Sequence, residues 1–297
     1  MAIFKGAGVA IVTPMYEDGK VNYDKLEELL EYQIANSTDA IIICGTTGES
    51  STMTHGEHLK TIKFAIDKVN KRVPVIAGTG SNCTETAIMM SKEAASYGAD
   101  ALLIVTPYYN KATQKGLIAH YTAIAEAVPE TPVLLYNNPG RVGYTLSADL
   151  VEKLAHEVEN IVGMKDTSGD ITQTEEFIRR NADVGFKVFG GKDTLLYASL
   201  CIGAVGGVCT AGNFMPELIV DIYNKYVAGD IQGSLAAQYK LNPVRLAMDG
   251  ASFPVAAKDM AIMRGLAAGK PYLPNFPTPE GVSYDKMKKE MEKAGLI

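Results

Sequence analysis

Short, continuously apolar runs recur along the chain at regular intervals. There are eight of them, and they begin at Gly8, Ala40, Val73, Ala101, Pro132, Ile161, Lys187 and Ala204. Successive starts lie 17 to 33 residues apart, close to the length of one strand plus one helix. The runs lack the apolar–polar alternation of half-exposed strands, as expected for parallel strands covered on both faces. The pattern therefore predicts eight βα units.

Helical segments with recognisable starts lie between these runs. Thr54 with Glu57, and Thr172 with Glu175, fit the capping-box pattern that opens many helices. Ser147 precedes a third segment whose apolar residues share one helical face. Eight βα units in one chain predict a closed (β/α)8 TIM barrel of the α/β class, and a doubly wound open sheet is the weaker alternative.

The residues after the eighth run contain more helical pattern than the last barrel unit requires. Four helical segments follow Phe214, and no Pro/Ser-rich linker precedes them. We therefore expect a C-terminal helical appendage rather than a separate folding unit. On this interpretation residues 1–225 form the barrel with the catalytic site, and residues 226–297 form a helical extension packed on it.

Composition narrows the classes of function. The net charge of −6 argues against a nucleic-acid partner or an anionic membrane surface. The first apolar run is short and ends in proline, so it fits neither a signal peptide nor a membrane span. The four cysteines have no CxxC spacing, which predicts reduced thiols in or near the core of a cytoplasmic protein. His55 and His58 lie three residues apart, but no further ligand cluster completes a metal site.

Chemically useful side chains collect where the predicted strands end. Residues 45–49 (GTTGE) follow the second strand, residues 106–110 (TPYYN) the fourth and residues 136–141 (YNNPGR) the fifth, and the sixth ends at Lys165. Each segment alone also fits an ordinary structural role. Catalytic groups of a (β/α)8 barrel lie at this end of the strands, so the shared position favours an active site.

Lys165 is the most informative of these residues. Burial disfavours the charged form of a lysine, and a neutral amine attacks a ketone to form a Schiff base. Tyr136 ends the neighbouring strand, where a phenol would carry the protons that this reaction requires. The GTTGE segment lacks the glycine spacing of a nucleotide-binding loop. The residues thus favour Schiff-base chemistry.

Four motifs carry a resemblance to a known family: GVAIVTP, CGTTGES, VIAGTGSN and TPYYNKATQKGL. Over essentially its full length the chain resembles the dihydrodipicolinate synthase/N-acetylneuraminate lyase family of class I (Schiff-base) aldolases. The resemblance implies a Schiff base between Lys165 and pyruvate, with Tyr136 as the proton shuttle. It also implies that Thr47 and Tyr109 complete a hydroxyl relay to solvent, with Tyr109 donated across a subunit interface.

The resemblance further implies how substrates are held. Thr46 and Thr47 would bind the pyruvate carboxylate, Arg141 the carboxylate of the second substrate, and Gly191 and Val208 would line the pocket. No cofactor or metal is implied, because the intermediate is covalently bound to the protein. The partners implied are pyruvate, an aldehyde and further copies of the chain, in a homo-oligomer expected to be a tetramer built from dimers.

An effector pocket is a further implication, because lysine inhibits some members of the family. The matching positions are Ser50, Ser51, His55, His58, Asn82 and Tyr108. The acidic residue that should face the lysine ammonium falls on Thr86, and Glu85 is displaced by one position. One position rotates a helical side chain by about 100°, so weak or absent inhibition by lysine is expected.

Several departures from the family pattern leave the second substrate open. Lys165 is followed by Asp-Thr-Ser, the seventh strand by Gly-Gly-Lys192-Asp193, and Ser252-Phe253 replaces an Asn-Pro pair. These features favour family members that cleave 2-keto-3-deoxy sugar acids, and the alternative function is an aldolase of such an acid or of N-acetylneuraminate. Arg141 favours the main prediction, condensation of pyruvate with aspartate semialdehyde, because a guanidinium binds a carboxylate bidentately. A catalytically silent scaffold is disfavoured, because the residues that the family uses for catalysis are all present. A metal-dependent aldolase is also disfavoured, because no histidine cluster lies at a strand end.

Overall fold

Eight parallel strands close into a barrel in the computed structural model, which describes residues 3–297. Each strand pairs with the next, and the first pairs with the eighth, where Gly6 lies opposite Gly206. The strands are β1 (Gly6–Ala10), β2 (Ala40–Ile43), β3 (Val75–Gly78), β4 (Ala101–Val105), β5 (Val133–Asn137), β6 (Ile161–Asp166), β7 (Lys187–Gly190) and β8 (Gly206–Cys209). The predicted (β/α)8 barrel is confirmed.

Helices connect the strands and extend beyond the last one. They are α1 (Tyr23–Ala35), α2 (His55–Val69), α3 (Thr84–Ser96), α4 (Gln114–Glu126), α5 (Pro139–Val142), α6 (Ala148–Glu157), α7 (Ile171–Arg180), α8 (Leu196–Cys201), α9 (Pro216–Val227), α10 (Ile231–Ala247), α11 (Val255–Met263) and α12 (Val282–Lys293). Among the described residues, no helix combines the length and the apolar character that crossing a bilayer requires.

The helix starts test the capping predictions. Thr54 accepts a hydrogen bond from the Glu57 amide at 3.3 Å and opens α2, as predicted. Ser147 likewise caps α6. The prediction of a cap at Thr172 is wrong, because α7 begins at Ile171 and Asp170 accepts a hydrogen bond from the Gln173 amide at 3.1 Å. Aspartate is a strong N-cap residue, and here it precedes the threonine by two positions.

The core has two layers. Side chains that point into the barrel form one cluster, in which the Phe4 and Phe189 rings stack at 4.4 Å. A larger cluster fills the space between the strands and the surrounding helices. Cys44 and Cys209 are buried, whereas Cys83 and Cys201 are exposed. The expectation of four thiols in or near the core is therefore wrong for the latter two, which lie at helix ends.

The C-terminal helices pack on the barrel rather than forming a detached unit. α10 lies against α8 and α9, and α12 packs on α10. The predicted C-terminal appendage of additional helices is confirmed. The predicted boundary between barrel and appendage, after residue 225, falls within α9. The division of the chain at that residue stays a prediction.

A buried ion pair joins these C-terminal residues to the loop after β2. The Glu49 and Lys258 side chains are 0% and 1% exposed, and Nζ of Lys258 lies 2.5 Å from a Glu49 oxygen. Lys258 also donates to the Lys270 carbonyl at 2.5 Å, while Glu49 accepts from the Tyr272 amide at 2.7 Å and from Asn275 at 3.2 Å. A buried pair with its remaining hydrogen bonds satisfied holds its surroundings in one geometry. It fixes the loop that carries the two predicted carboxylate-binding threonines.

Candidate active site

Lys165 is buried at the carboxyl end of the barrel. It is the last residue but one of β6, is 5% exposed, and pairs in register with Tyr136 on β5. The Lys165 Nζ atom lies 4.6 Å from the centre of the Tyr136 ring. A buried lysine beside an aromatic ring differs from the exposed lysine that normally ends a strand. The structure thus brings together the two residues that the sequence predicted as amine and proton carrier.

Gly191 makes room for the Lys165 side chain. A Cβ atom at position 191 would lie 2.9 Å from Cε of Lys165 and 2.1 Å from Oγ1 of Thr167. Both separations are too short for carbon and oxygen neighbours, so any side chain here would displace the lysine or the threonine. Only glycine therefore fits at position 191 while Lys165 and Thr167 keep their observed positions.

Tyr136 is buried, and its hydroxyl is hydrogen-bonded. Asn138 donates to the Tyr136 oxygen at 2.8 Å. Burial raises the pKa of Tyr136, but the Lys165 charge and the polar side chains of Thr46, Thr167 and Asn138 outweigh burial and lower that pKa below 10.0. A phenol with a lowered pKa exchanges protons more readily near neutral pH. Asn138 was not among the predicted site residues, although the two asparagines after Tyr136 were visible in the sequence.

Asp166 anchors the loop that follows the lysine. One carboxylate oxygen accepts from Asn137 Nδ2 at 2.8 Å and from the Ser168 amide at 3.1 Å. The other accepts from the Ser168 hydroxyl at 2.8 Å and from Thr174 at 2.5 Å. Asp166 and Ser168, which belong to the Asp-Thr-Ser sequence that departs from the family pattern, thus take part in a hydrogen-bond network directly after Lys165.

Thr47 lies on the opposite side of the barrel mouth. It is buried, and its hydroxyl lies 3.2 Å from the hydroxyl of Thr210 after β8. The backbone amide of Thr210 donates to Asp193 at 3.1 Å, and the Arg245 Nε atom lies 3.3 Å from the same carboxylate. Thr210, Asp193 and Arg245 were not predicted as site residues, because they meet Thr47 only through closure of the barrel.

A cavity of about 650 Å3 surrounds Lys165. Predicted residues that line it are Thr47, Tyr136, Arg141, Lys165 and Gly191. Val208 does not line it, because its side chain lies inside the barrel in the cluster that also contains Tyr136. Thr46 borders a neighbouring cavity instead.

Arg141 lies at the boundary between the two cavities. It belongs to the short helix α5, is exposed, and lines both. Its guanidinium carbon lies 4.8 Å from the centre of the Phe253 ring, a cation–π distance. Phe253 was noted in the sequence only as a departure from the family pattern.

Tyr109 does not line the cavity around Lys165 in the single chain. Its side chain is 91% exposed, and its backbone φ of 71° is uncommon for a bulky residue. It borders the second cavity together with Tyr108. Within one subunit, therefore, the structure does not join Tyr109 to Thr47 and Tyr136.

The second cavity has a volume of about 570 Å3 and contains most of the predicted effector positions. Ser50, Ser51, His55, His58 and Tyr108 line it, whereas Asn82 does not. Thr86 also lines this cavity and Glu85 does not. The position expected to carry the acidic residue is thus occupied by Thr86, and Glu85 does not reach the cavity wall.

His58 is neutral in this environment. Its Nε2 atom lies 2.7 Å from the Gly78 carbonyl and donates to it, while burial lowers the pKa of His58 to about 4. Among the described residues, no group of three or more His, Cys, Asp or Glu side chains is arranged to hold a metal ion.

The fold and the site together define a (β/α)8 barrel with a buried lysine and a hydrogen-bonded phenol in its mouth. A family model, the dihydrodipicolinate synthetase family, matches residues 3–294. The chain belongs to this family.

Individual relatives cover the whole chain. The 4-hydroxy-tetrahydrodipicolinate synthase of Lachnoclostridium phytofermentans is 48% identical over 297 residues, 100% of both chains. The chloride-inhibited dihydrodipicolinate synthase from Acinetobacter baumannii in complex with pyruvate is 39% identical, covers 99% of each chain and superposes with a TM-score of 0.92. DHDPS from Cyanidioschyzon merolae with lysine bound is 33% identical, covers 100% of each and has a TM-score of 0.95.

The lowered pKa of Tyr136 leads to a spectroscopic prediction. In an alkaline titration of tyrosine absorbance, Tyr136 should ionise at lower pH than an ordinary phenol because its pKa is lowered, and this component should be missing from Tyr136→Phe. Lys165→Met should move it to higher pH, because burial then acts without the opposing charge. An unchanged titration in Lys165→Met would show that the lysine does not act on this phenol.

Proposed function

We propose that the chain is a lyase that condenses pyruvate with L-aspartate 4-semialdehyde to 4-hydroxy-tetrahydrodipicolinate, a step of lysine and diaminopimelate biosynthesis. The observation that carries the proposal is the buried Lys165 amine against the Tyr136 phenol in a cavity bordered by Arg141. The names of the full-length relatives support the same activity. The chemistry needs no cofactor, because the lysine itself carries the intermediate.

Lys165 supplies the nucleophile for the first half of the reaction. Its amine attacks the ketone carbon of pyruvate, the carbonyl oxygen leaves as water, and a C=N bond links the lysine to the substrate. The positively charged nitrogen withdraws electrons from the neighbouring methyl carbon, which loses a proton to give an enamine. Tyr136 moves protons to and from the oxygen and nitrogen, which a positioned phenol of lowered pKa suits.

The second half forms the carbon–carbon bond. The enamine carbon attacks the aldehyde carbon of the second substrate, and the aldehyde oxygen takes up a proton. The amino group of that substrate then replaces Lys165 at the C=N carbon, which closes the ring and frees the lysine. Protons reach the site through Tyr136 and Thr47, with Thr210 hydrogen-bonded to Thr47 as a further hydroxyl.

Binding groups surround the reacting lysine. The loop that carries Thr46 and Thr47 holds the pyruvate carboxylate, and Gly191 leaves the space that the bound substrate and Lys165 share. Arg141 binds the carboxylate of the aldehyde bidentately. Val208 supports the site from inside the barrel as a packing residue of the cluster that also contains Tyr136.

The second substrate is tested by direct comparison. Wild-type protein should turn over pyruvate with aspartate semialdehyde, and should leave 2-keto-3-deoxy acids and N-acetylneuraminate uncleaved. Arg141→Ala should lower kcat/KM for the aldehyde by about 10- to 100-fold, the loss expected for hydrogen bonds to a charged group, while the KM for pyruvate stays near its wild-type value. Cleavage of a sugar acid, or equal losses for both substrates, would contradict the assignment.

We further propose a homo-oligomer in which Tyr109 completes the site of a neighbouring subunit. Two observations support this proposal: the Tyr109 side chain is 91% exposed, and its backbone has a positive φ. Strained backbone conformations cluster at functional sites, and within a single chain this side chain lines no part of the cavity around Lys165. The tetramer expected from the sequence contains such a pair of subunits. The expected cytoplasmic location stays a prediction.

Mixed oligomers test whether Tyr109 acts between subunits. Lys165→Ala and Tyr109→Phe are each expected to have little activity alone. After unfolding and refolding together, they should regain about one quarter of wild-type activity, because half of the dimers are hybrids and each has one complete site. A mixture as inactive as its components would mean that Tyr109 does not act on the site of a neighbouring subunit, and near-wild-type activity of Tyr109→Phe alone would mean that it has no catalytic role.

The cavity that resembles the effector pocket is proposed to bind lysine weakly. Its lining carboxylate, Glu49, is fully engaged by Lys258 and by two hydrogen-bond donors, and Thr86 occupies the position of the missing acid. An ammonium group without a partner is costly to bury.

Lysine titrated against initial rate should therefore have little effect on the wild type. Thr86→Glu should create or strengthen inhibition, since it places a carboxylate in the cavity wall, whereas Thr86→Gln provides the uncharged control. Strong inhibition of the wild type at sub-millimolar lysine would contradict this proposal.

A further inference from the structure

Phe253 brings the C-terminal part of the chain into the barrel mouth. It lies between α10 and α11, is partly buried, and lines both the cavity around Lys165 and the neighbouring one. Arg141, a predicted site residue, also borders both cavities. The Arg141 guanidinium lies over the Phe253 ring, with the guanidinium carbon 4.8 Å from the ring centre, a contact that we call the stack. A residue 112 positions away in sequence thus packs against the predicted carboxylate-binding arginine.

The Arg141 guanidinium has no competing polar partner. In residues 3–297 it takes part in no ion pair and no side-chain hydrogen bond, whereas Arg245 in the same cavity is paired with Asp193 and Asp249. An aromatic ring covers one face of a guanidinium and leaves the in-plane N–H groups free. Stacking on Phe253 therefore restrains an exposed side chain without occupying the donors that a carboxylate needs.

We propose that Phe253 is a positioning residue that holds Arg141 for the carboxylate of the aldehyde substrate. The substrate named in this inference rests on the proposed function, whereas the contact between Phe253 and Arg141 is observed independently of it. A restrained guanidinium loses less conformational entropy when the carboxylate binds, which raises affinity for acidic aldehydes over uncharged ones. The C-terminal appendage thereby takes part in substrate selection through a single side chain.

Kinetics of Phe253 variants test the positioning role. Phe253→Leu should raise the KM for aspartate semialdehyde by about two- to fivefold, the loss expected for an exposed cation–π contact, with kcat and the KM for pyruvate unchanged. Phe253→Tyr keeps the ring and should behave as wild type. In an Arg141→Ala background Phe253→Leu should have no further effect, because a residue that acts through another is not additive with it.

A chemical measurement makes the result independent of the substrate assignment. Modification of Arg141 by 2,3-butanedione, followed by peptide mass mapping, should be faster in Phe253→Leu than in wild type or Phe253→Tyr. Arg179, which is paired with Glu176 on the surface of α7, should react equally in all three and serves as the internal control. If aspartate semialdehyde is not turned over at all, the proposed function fails while this measurement still tests the stack.

Three results would overturn the inference. These are an equal rate of Arg141 modification in all variants, an effect of Phe253→Leu that persists in the Arg141→Ala background, and an equal rise in the KM for pyruvate. The first would show that the ring does not restrain the guanidinium, and the other two that Phe253 acts by another route.

Discussion

Accommodating the Lys165 side chain inside the barrel mouth is the constraint on which the rest of the site depends. A lysine at this position of β6 must share a closed, side-chain-filled space with its neighbours on β5 and β7. Tyr136 contributes a ring face beside the amine on one side. On the other, Gly191 leaves room that no side chain could share. Hydrogen bonds to Asp166 hold the backbone directly after the lysine. The Lys165 side chain therefore lies between Tyr136 and Gly191.

The C-terminal helices are part of the site's support. The Glu49–Lys258 ion pair ties α11 to the loop after β2, close to the two threonines proposed to bind pyruvate. Removing one partner of such a buried pair typically destabilises a protein by about 3–5 kcal/mol, because a charge is left buried and alone. Phe253 reaches the mouth from the same region and stacks on Arg141. The C-terminal residues thus contact the loop after β2 through Lys258 and the short helix α5 through Phe253.

The sequence predicted those features that depend on local pattern. Eight apolar runs gave the eight strands, and Lys165 and Tyr136 followed from their positions at strand ends. The contacts of Thr47 with Thr210 and of Arg141 with Phe253 join residues more than a hundred positions apart. A local sequence pattern cannot predict such contacts. The wrong cap at Thr172 has a different cause. It depended on the position of a helix end, which apolar spacing leaves uncertain by one or two residues. The expectation for Cys83 and Cys201 rested on the number and spacing of the cysteines, which do not determine whether a side chain is exposed.

The most direct test of the account is reductive trapping of the proposed intermediate. Borohydride added with pyruvate should convert the C=N bond to a stable secondary amine, and peptide mass mapping should place a pyruvate-derived adduct on Lys165. Lys165→Ala should form no such adduct, while an exposed-lysine control, Lys63→Ala, should form it as the wild type does. An adduct that persists in Lys165→Ala, or its absence from the folded wild-type protein, would contradict the account.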